Sequence, residues 1–384
     1  MAGKKIFLLA GESSGDRLGA GLMQALVRQH GAQQFSGVGG AAMQAQGLRS
    51  VFPMQEIALM GLRQIVPRLP HLLSRLRTLS DEIVRRAPDI VVLIDSPDFT
   101  HRLAARVHRR APQIPIVVYV APSVWAWRPG RARAMARWCR LVLALLPFEP
   151  AAMRALGGPA CVHVGHPACA RAPSAALGKA WRTRHGLSAD APLLLLLPGS
   201  RRNEIASLMP VFGAAAARCC AALPQLRLVL AGHAALRDEI ARALTGWSVQ
   251  PQLVWSEEEK AGAFAAGTAA LAASGTVVLE LALAGVPAAA AYQGDMVLSW
   301  IVQRFVRAPS ALLPNLILDA PVLPEFLGAR CRADLLADAA LSMLQEPARR
   351  QALRRALAQV KQHLVVEEAF PQALAARHIW DLAS

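Results

Sequence analysis

The chain has 384 residues, of which 54% are hydrophobic and 18% are charged; this composition excludes a disordered chain and predicts two domains, each with its own core. The 42 basic and 26 acidic residues give a formal net charge of +16, and residues 1–172 carry 22 of the basic but only 9 of the acidic ones. We therefore expect the first half to meet nucleic acid, an anionic membrane surface or a phosphorylated substrate, unless an arginine-rich coding bias explains the excess.

The sequence indicates neither a targeting segment nor a metal site. The apolar run from Ile6 to Gly11 is too short for the core of a signal peptide, so we predict a cytosolic protein. The six cysteines show no Cys-x-x-Cys pair and no repeated spacing, which argues against a zinc site and a disulfide framework. The uncharged residues 261–279 are numerous enough to span a bilayer, but their alanine, glycine and threonine content favours a buried α/β segment.

Short apolar runs alternate with helical patterns along the chain, which predicts an α/β fold with two doubly wound parallel sheets. The predicted strands of the first half are residues 5–10, 35–38, 90–94, 114–120 and 141–146. Those of the second half are residues 193–197, 226–231, 253–255, 269–273 and 288–292. A junction near residues 170–177 predicts domains over 1–172 and 173–346. Two helices within 347–384 are expected to pack back on the first domain.

Two doubly wound sheets that face each other leave a cleft along the carboxyl ends of their strands, where ligands bind. The first loop of this kind runs from Gly11 to Asp16 and fits the Gly-x-Ser-x-Gly pattern of a hydrolase nucleophile elbow, with Ser13 as the nucleophile. An elbow needs strands before it, and only one precedes this loop. We therefore favour contact with an anionic or polyhydroxyl ligand, in which Glu12 can bind sugar hydroxyls.

The predicted strand 90–94 ends at two carboxylates, Asp95 and Asp98. A carboxylate at a strand tip can act as a general base if it touches the proton that is removed, and a second carboxylate can support it. Pro97 stiffens the turn between them. Alternatively one aspartate caps the next helix, and Asp98 suits that role better because it stands just before Phe99. We predict that Asp95 is the base.

Aromatic and basic residues concentrate after the next predicted strand. Trp125 and Trp127 follow Ser123 and precede Arg128, with more arginines up to Arg140. Such a cluster can stack on a sugar, lie at a membrane interface or stack on nucleic-acid bases. Because aromatic residues make up only 5% of the chain and this is their one dense cluster, we favour a sugar or a membrane.

Residues 60–73, from Met60 to Leu73, form a second basic and apolar segment. Leu62, Ile65, Val66 and Leu69 recur at helical spacing, with Arg63 and Arg68 among them. A basic amphipathic helix of this kind can touch a lipid headgroup layer. The same stripe can also face the protein core, and both interpretations stay open.

The loops of the second half contain anion-binding chemistry. The strand 193–197 runs into Pro198-Gly199-Ser200-Arg201-Arg202-Asn203-Glu204, which is not a P-loop, although a guanidinium such as that of Arg201 can pair with a diphosphate. Further on, Ser274, Gly275 and Thr276 precede or open a helix that contains Glu280. That helix start can bind an anion and Glu280 can reach ribose hydroxyls, or Ser274 or Thr276 simply caps the helix. Asn315 lies in a proline turn suited to hydrogen-bonding a ligand.

Ten strings of this sequence, in order and spanning residues 10–315, resemble the lipid-A-disaccharide synthase family. They are AGESSGD, VGG, LMG, DSPDF, YVAPSVWAWR, LPFE, GHP, LLPGSRRNE, SGTVVLE and LPN. The resemblance implies two Rossmann-like domains of the GT-B type. It also implies inverting transfer of 2,3-diacylglucosamine from its UDP derivative to 2,3-diacylglucosamine 1-phosphate (lipid X), without a metal or other cofactor. The partners implied are these two lipids and the cytoplasmic face of the inner membrane, bound peripherally, with no nucleic acid; a homodimer is possible.

The resemblance assigns expected roles to individual residues. Asp95, Asp98 and Glu12 are the catalytic candidates. The nucleotide and donor candidates are Ser200, Arg201, Glu204, Ser274, Gly275, Thr276, Glu280, Tyr292 and Asn315. The acceptor and membrane candidates are Ser14, Met60, Arg63, Ser123, Trp125, Trp127 and Arg128. Two positions depart from the family pattern: Ala121, where serine is common, and Gln293, where a basic residue commonly follows the tyrosine and would touch the diphosphate.

Three rival functions stay open at this point. One is a serine hydrolase that uses Ser13, and another is a nucleic-acid-binding protein that uses the arginine-rich half. The third is a related GT-B enzyme that acts on a UDP-sugar, such as an epimerase or another glycolipid transferase.

Overall fold

The computed structural model describes residues 3–57, 62–293, 308–366 and 370–383. The chain divides into two compact units, and the second unit, Ala168–His363, is inserted between the two segments of the first, Met1–Pro167 and Leu364–Ser384. Met60 and the side chain of Arg63 lie outside the described part of the chain.

Each unit contains one sheet, and every strand pairing in the described residues is parallel. The first sheet contains β1 (Lys5–Ala10), β2 (Gln34–Val38), β3 (Arg49–Ser50), β4 (Ile90–Ile94), β5 (Ile116–Tyr119), β6 (Leu141–Ala144) and β7 (Cys161–His163), in the order β3-β2-β1-β4-β5-β6-β7. The second contains β8 (Leu193–Leu197), β9 (Arg227–Ala231), β10 (Gln252–Val254), β11 (Ala269–Ala273), β12 (Ala288–Tyr292) and β13 (Glu325–Leu327), in the order β10-β9-β8-β11-β12-β13. These orders confirm two doubly wound, Rossmann-like domains.

Helices alternate with the strands. Those of the first unit are α1 (Ser13–His30), α2 (Ala41–Ala45), α3 (Leu62–Arg86), α4 (Pro97–Arg110), α5 (Gly130–Met135) and α6 (Glu149–Ala155). The second unit adds α7 (Ala175–Arg184), α8 (Arg202–Ala222), α9 (Arg237–Leu244), α10 (Glu257–Ala266), α11 (Thr276–Leu283), α12 (Leu313–Leu318), α13 (Ala333–Gln345) and α14 (Pro347–Leu364). The last helix, α15 (Pro371–Leu382), belongs to the first unit.

Local sequence explains where several helices begin and end. α1 stops at Gly31, whose φ of 78° is a conformation that glycine adopts without strain. α4 and α15 begin at Pro97 and Pro371, because a proline ring fixes the helical φ and the missing N–H is not needed in the first turn.

The sheets form the centres of the two cores. Residues Ile6–Ala10 of β1 and Leu193–Leu196 of β8 have no exposed surface, as expected for central parallel strands covered on both faces. The uncharged residues 261–279 fall in α10, β11 and α11, which confirms the prediction of a buried α/β segment. Helix α8 is long and apolar enough to cross a membrane, yet Leu208, Met209 and Phe212 pack in the core of the second unit.

The ends of the units differ from the predicted domain boundaries. The chain passes from the first unit to the second between residues 167 and 168 rather than between 172 and 173. Of the two C-terminal helices, only α15 belongs to the first unit. Helix α14 stays in the second unit, where Leu357 is fully buried among residues of β8 and β11. By contrast, Trp380 of α15 stacks on His30 of α1, with 4.0 Å between the ring centroids.

Candidate functional site

Strand order in the first sheet reverses direction between β1 and β4, where ligands bind in open α/β sheets. The loops that leave these two strands touch each other. A Cβ atom added to Gly11 would lie 2.8 Å from Cβ of Ser96 and closer still to its hydroxyl oxygen. Glycine at position 11 therefore allows the turn after β4 to approach the loop after β1.

The turn after β4 is strained. Asp95 and Ser96 have φ angles of 56° and 50°, in the left-handed region that non-glycine residues rarely occupy. The Asp95 carboxylate accepts the Ser96 N–H at 2.8 Å through Oδ1, and the Asp95 carbonyl accepts the Thr100 hydroxyl at 3.0 Å. The second carboxylate oxygen of Asp95, Oδ2, makes no hydrogen bond to the residues that the structure describes. The turn thus holds a half-buried carboxylate, one oxygen of which is not used by the described residues.

Asp98 does not cap α4, contrary to the alternative we considered. Ser96 is the residue that precedes the helix, and Asp98 lies within the first turn. Its Oδ1 atom accepts hydrogen bonds from Arg128, at 3.1 Å, and from Arg131. Two guanidinium groups therefore engage the carboxylate, which favours Asp95 over Asp98 as the base.

His101 lies one helical turn beyond Asp98 on α4. Its ring packs edge-on against Trp138 with 5.1 Å between centroids, and its Nε2 is buried without a hydrogen-bond partner in the described structure. Burial, and then the positive charge of Arg131, lower the pKa of His101 to about 4, although Asp98 acts in the opposite direction. His101 is therefore neutral near pH 7.

The loop after β1 is not built as a nucleophile elbow. Glu12, Ser13 and Ser14 are exposed, and Ser13 is the first residue of α1. A nucleophile elbow places its serine on a strained turn, whereas no residue from Gly11 to Asp16 has a positive φ. The structure therefore gives the hydrolase hypothesis no geometric support.

A carboxylate that the sequence analysis did not single out shapes the same edge of the sheet. Asp16, at the end of the AGESSGD string, is 7% exposed. It accepts the backbone N–H groups of Gly40, Ala42 and Met43 at 2.8, 3.0 and 3.0 Å, and so holds the VGG turn and the start of α2. The sequence did not point to this role, because Asp16 and Gly40 are 24 residues apart in the chain.

The tryptophan loop, residues 120–129, follows β5. Trp125 and Trp127 are half-buried and Ser123 is exposed. Trp125 packs edge-on against Phe148 with 5.1 Å between centroids, and the guanidinium of Arg128 lies 5.4 Å from the ring of Trp127. The loop therefore presents aromatic surface and positive charge together, as the sequence predicted.

Glu149, in the LPFE string, holds this loop through a hydrogen bond from Trp125. It is 5% exposed and accepts hydrogen bonds from Nε1 of Trp125 at 3.4 Å and from the backbone N–H of Leu146 at 3.1 Å. Burial raises its pKa to about 7, against the effect of these donors. Sequence reasoning missed Glu149, because its partner Trp125 lies 24 residues away.

The second sheet has its own reversal of strand order between β8 and β11. The loop after β8 is closed by Glu204, whose carboxylate accepts the N–H groups of Ser200 at 2.8 Å and Arg201 at 3.2 Å. The Arg201 side chain is 80% exposed and also bonds to Glu204, at 2.9 Å. Glu204 therefore fixes the conformation of the loop, and the Arg201 side chain is the group that the loop exposes to a ligand.

The loop after β11 lies beside the loop after β8, because the register pairs Leu197 with Ala272. No side chain caps α11, so the capping alternative for Ser274 and Thr276 is wrong. Gly275, Thr276 and Glu280 are exposed, and half-buried Tyr292 ends the neighbouring strand β12. The structure thus brings the predicted donor residues of β8, β11 and β12 to one edge of the sheet.

Asn315 is buried rather than presented to a ligand. It is 3% exposed, its Nδ2 donates to the Leu323 carbonyl at 2.9 Å and to Glu325 at 3.1 Å, and its Oδ1 accepts the Leu323 N–H at 2.8 Å. Both amide hydrogens are used inside the protein. In the described structure Asn315 fixes the turn before β13, and the prediction that it hydrogen-bonds the nucleotide gains no support from these contacts.

The cysteines are thiols of the protein interior. Cys139, Cys219 and Cys331 are buried, the other three are partly buried, and all six are free. Burial raises the pKa of Cys139, Cys161 and Cys219 to about 12, so these thiols stay protonated. Their burial is typical of small residues that pack in or beside the core.

Comparisons with known proteins agree with the resemblance in the sequence. A family model described as lipid-A-disaccharide synthetase matches residues 6–378. The lipid-A-disaccharide synthase of Nitrobacter winogradskyi is 48% identical over 353 residues, which cover 91% of this chain and 89% of that protein. That of Rhodopseudomonas palustris strain CGA009 is 44% identical over 381 residues, covering 99% and 96%.

Solved structures agree with the fold. The UDP-GlcNAc 2-epimerase of Neisseria meningitidis bound to UDP-GlcNAc is 11% identical with a TM-score of 0.61, and the alignment covers 99% of both chains. The MnaA–UDP structure of S. aureus is 14% identical with a TM-score of 0.65, covering 98% of this chain and 95% of that one. The fold is shared with epimerases, but sequence similarity over nearly the whole length is to another group: the chain belongs to the lipid-A-disaccharide synthase family.

Proposed function

We propose that this glycosyltransferase of lipid A biosynthesis transfers 2,3-diacylglucosamine from its UDP derivative to the 6-hydroxyl of 2,3-diacylglucosamine 1-phosphate. The products are the β-1,6-linked disaccharide 1-phosphate and UDP. The strained turn at Asp95 and Ser96, at the reversal of strand order in the first sheet, is the structural observation that carries the proposal.

Asp95 is the general base of this reaction. Its Oδ2 takes the proton of the acceptor 6-hydroxyl while the hydroxyl oxygen attacks the anomeric carbon of the donor, whose configuration inverts. The hydrogen bond from Ser96 to Oδ1 orients the carboxylate, so that Oδ2 faces the acceptor. Glu12, exposed on the adjoining loop, holds sugar hydroxyls.

The second unit binds the nucleotide and stabilises the leaving group. As the bond from the anomeric carbon to the diphosphate breaks, negative charge develops on UDP, and the exposed guanidinium of Arg201 neutralises part of it. The first turn of α11 adds backbone N–H groups that no side chain caps. Glu280, one turn further along α11, holds ribose hydroxyls.

The first unit binds the acceptor and the membrane surface. Trp125 and Trp127 stack on the acceptor or lie at the headgroup layer, with Ser14, Ser123 and Arg128 around them. In α3, Leu72, Leu76, Leu79 and Ile83 pack in the core, whereas Leu73 is 44% exposed. The membrane contact we propose for α3 therefore involves Leu73 rather than the leucines that pack in the core.

Incubation with UDP-diacylglucosamine and lipid X in detergent micelles tests the reaction. Mass spectrometry should find the disaccharide 1-phosphate together with an equal amount of UDP. Folded protein that yields no disaccharide would refute the proposal, and conversion of UDP-GlcNAc alone to its epimer would favour an epimerase.

Two variants test the assignment of the base. Asp95→Asn should lower kcat by about 10²–10⁴-fold, the usual contribution of a general base. Ser13→Ala should keep the wild-type rate. The opposite result, loss of turnover with Ser13→Ala but not with Asp95→Asn, would contradict this assignment and favour the hydrolase hypothesis.

Flotation with lipid vesicles tests peripheral membrane binding. The chain should float with vesicles that contain phosphatidylglycerol and stay in the soluble fraction with phosphatidylcholine vesicles, and salt should weaken the binding. Equal binding to both vesicle types would contradict an electrostatic contact.

A further inference from the structure

Two arginines of the first unit converge on a single carboxylate oxygen. Arg128, in the tryptophan loop, and Arg131, in the first turn of α5, both donate to Oδ1 of Asp98. Arg128 has a φ of 53°, so the backbone is strained where it delivers this side chain. The side chain of Arg131 is only 20% exposed, which is low for an arginine. The cluster is therefore more constrained than an ordinary surface ion pair.

The cluster carries an excess of positive charge. Two guanidinium groups face one carboxylate, and the nearby His101 adds no charge, because its pKa is lowered to about 4. In the described structure each guanidinium uses one of its five N–H donors on Asp98. The remaining donors and the unbalanced charge suit a ligand with several anionic oxygens.

The position of the cluster relates it to the acceptor sugar. Asp98, in the first turn of α4, lies three residues after Asp95, the residue to which the proposed function assigns the proton of the acceptor hydroxyl. A glucosamine 1-phosphate carries its 6-hydroxyl and its phosphate at opposite ends of one pyranose ring. A base at one end of the ring therefore requires anion-binding groups a short distance away at the other.

We infer that Arg128 and Arg131 form the binding site for the anomeric phosphate of the acceptor, with Asp98 holding both guanidinium groups in place. This inference rests on the proposed function and adds to it a specificity-determining pair. The phosphate oxygens accept the N–H groups that Asp98 does not use, and an acceptor without phosphate leaves these donors unoccupied.

The test compares lipid X with the same diacylglucosamine lacking phosphate, in neutral detergent micelles. For wild type, the KM for lipid X should be lower than that for the phosphate-free acceptor. Arg128→Gln and Arg131→Gln should each raise the KM for lipid X about tenfold or more, with little change in kcat and none in the KM for the phosphate-free acceptor. The matched control is Arg133→Gln, an exposed arginine of the same short helix, which should behave as wild type.

Other outcomes overturn the inference. Variants that keep the wild-type KM for lipid X would exclude a phosphate site at these residues. So would variants that circular dichroism shows to be folded but whose KM rises equally for lipid X and for the phosphate-free acceptor. Binding of lipid X without donor, measured by calorimetry, tests the pair even if no disaccharide forms, so that failure of the proposed reaction is distinguished from failure of this site. Loss of binding to phosphatidylglycerol vesicles with unchanged lipid X binding would assign the pair to a membrane headgroup instead.

Discussion

Trp125 donates its indole N–H to a carboxylate that is almost wholly buried, with 3.4 Å between its Nε1 and Oε1 of Glu149. The backbone N–H of Leu146 donates to the same carboxylate at 3.1 Å. A buried acid with neutral hydrogen-bond donors binds its proton more tightly than a solvated one, because burial disfavours the charged form. The tryptophan loop thus rests on a group that titrates close to neutral pH.

The Glu149 carboxyl should make stability fall as pH rises. Its pKa is about 7 in the folded protein, because burial raises it from the usual 4.5, so between these values the folded state holds a proton that the unfolded state has lost. The stabilisation is complete below pH 4.5 and disappears as pH rises through 7. Urea unfolding should show the free energy of unfolding of wild type, relative to Glu149→Gln, decreasing by about 3 kcal/mol over this interval. A constant difference would contradict the buried titration.

His101 should act in the opposite direction. Burial, followed by the charge of Arg131, lowers its pKa from 6.5 to about 4, so the unfolded state binds the proton first. The contribution of neutral His101 to the free energy of unfolding is complete above pH 6.5 and disappears as pH falls toward 4. Relative to His101→Phe, which keeps a ring against Trp138, the unfolding free energy of wild type should drop by about 3 kcal/mol between these values. Parallel pH profiles would show that His101 titrates normally.

Gly11→Ala should disturb the turn that carries Asp95, the proposed base. The added methyl group overlaps Ser96, so the turn that carries Asp95 must shift. We expect a loss of about 1–3 kcal/mol in stability and, because a displacement near 1 Å misplaces the base, about a hundredfold decrease in kcat. Ser96→Gly in the same chain should restore much of both, since it removes the atoms that clash. Gly246→Ala, where no atom lies within 4 Å, is the control and should leave kcat unchanged.

Asp16→Asn should loosen the turn at Gly40. Oδ1 of Asp16 accepts from Gly40 and Met43, and Oδ2 accepts from Ala42. In the Asp16→Asn variant an NH2 group replaces one of these oxygens, so that two N–H donors point at each other and a hydrogen bond is lost. Thermal or urea denaturation should show a loss of roughly 2–3 kcal/mol. Asp190→Asn changes an exposed aspartate and should cost much less. Equal stabilities of the two variants would remove the structural role of Asp16.

The sequence predicted central strands better than edge strands. β4 is Ile90–Ile94 as predicted, because a strand covered on both faces must be a continuous apolar run. β3, β7 and β13, which lie at sheet edges, have two or three residues each and were missed. Backbone pairing rather than hydrophobicity defines such short strands, and pairing is not visible in one chain segment.

Positions at the ends of central strands could be predicted, whereas hydrogen bonds between distant residues could not. Asp95 follows β4 and Arg201 lies in the loop after β8, as predicted, because each comes shortly after an apolar run. Asn315 was misjudged because its polarity suggested a ligand, whereas Leu323 and Glu325 use its amide. Glu149 and Asp16 escaped notice, since Trp125 and Gly40, the loop residues that they hold, lie 24 residues away from them in the sequence.

The insertion of one unit into the other also orders the synthesis of the chain. Residues 168–363 are complete before residues 371–382 leave the ribosome, yet Leu374 and Ile379 of α15 are part of the first core. The second unit can therefore fold before α15 is synthesised, whereas the core of the first unit is complete only after α15 has left the ribosome. Until α15 docks, the surface of α1 that receives it stays open to solvent and to chaperones.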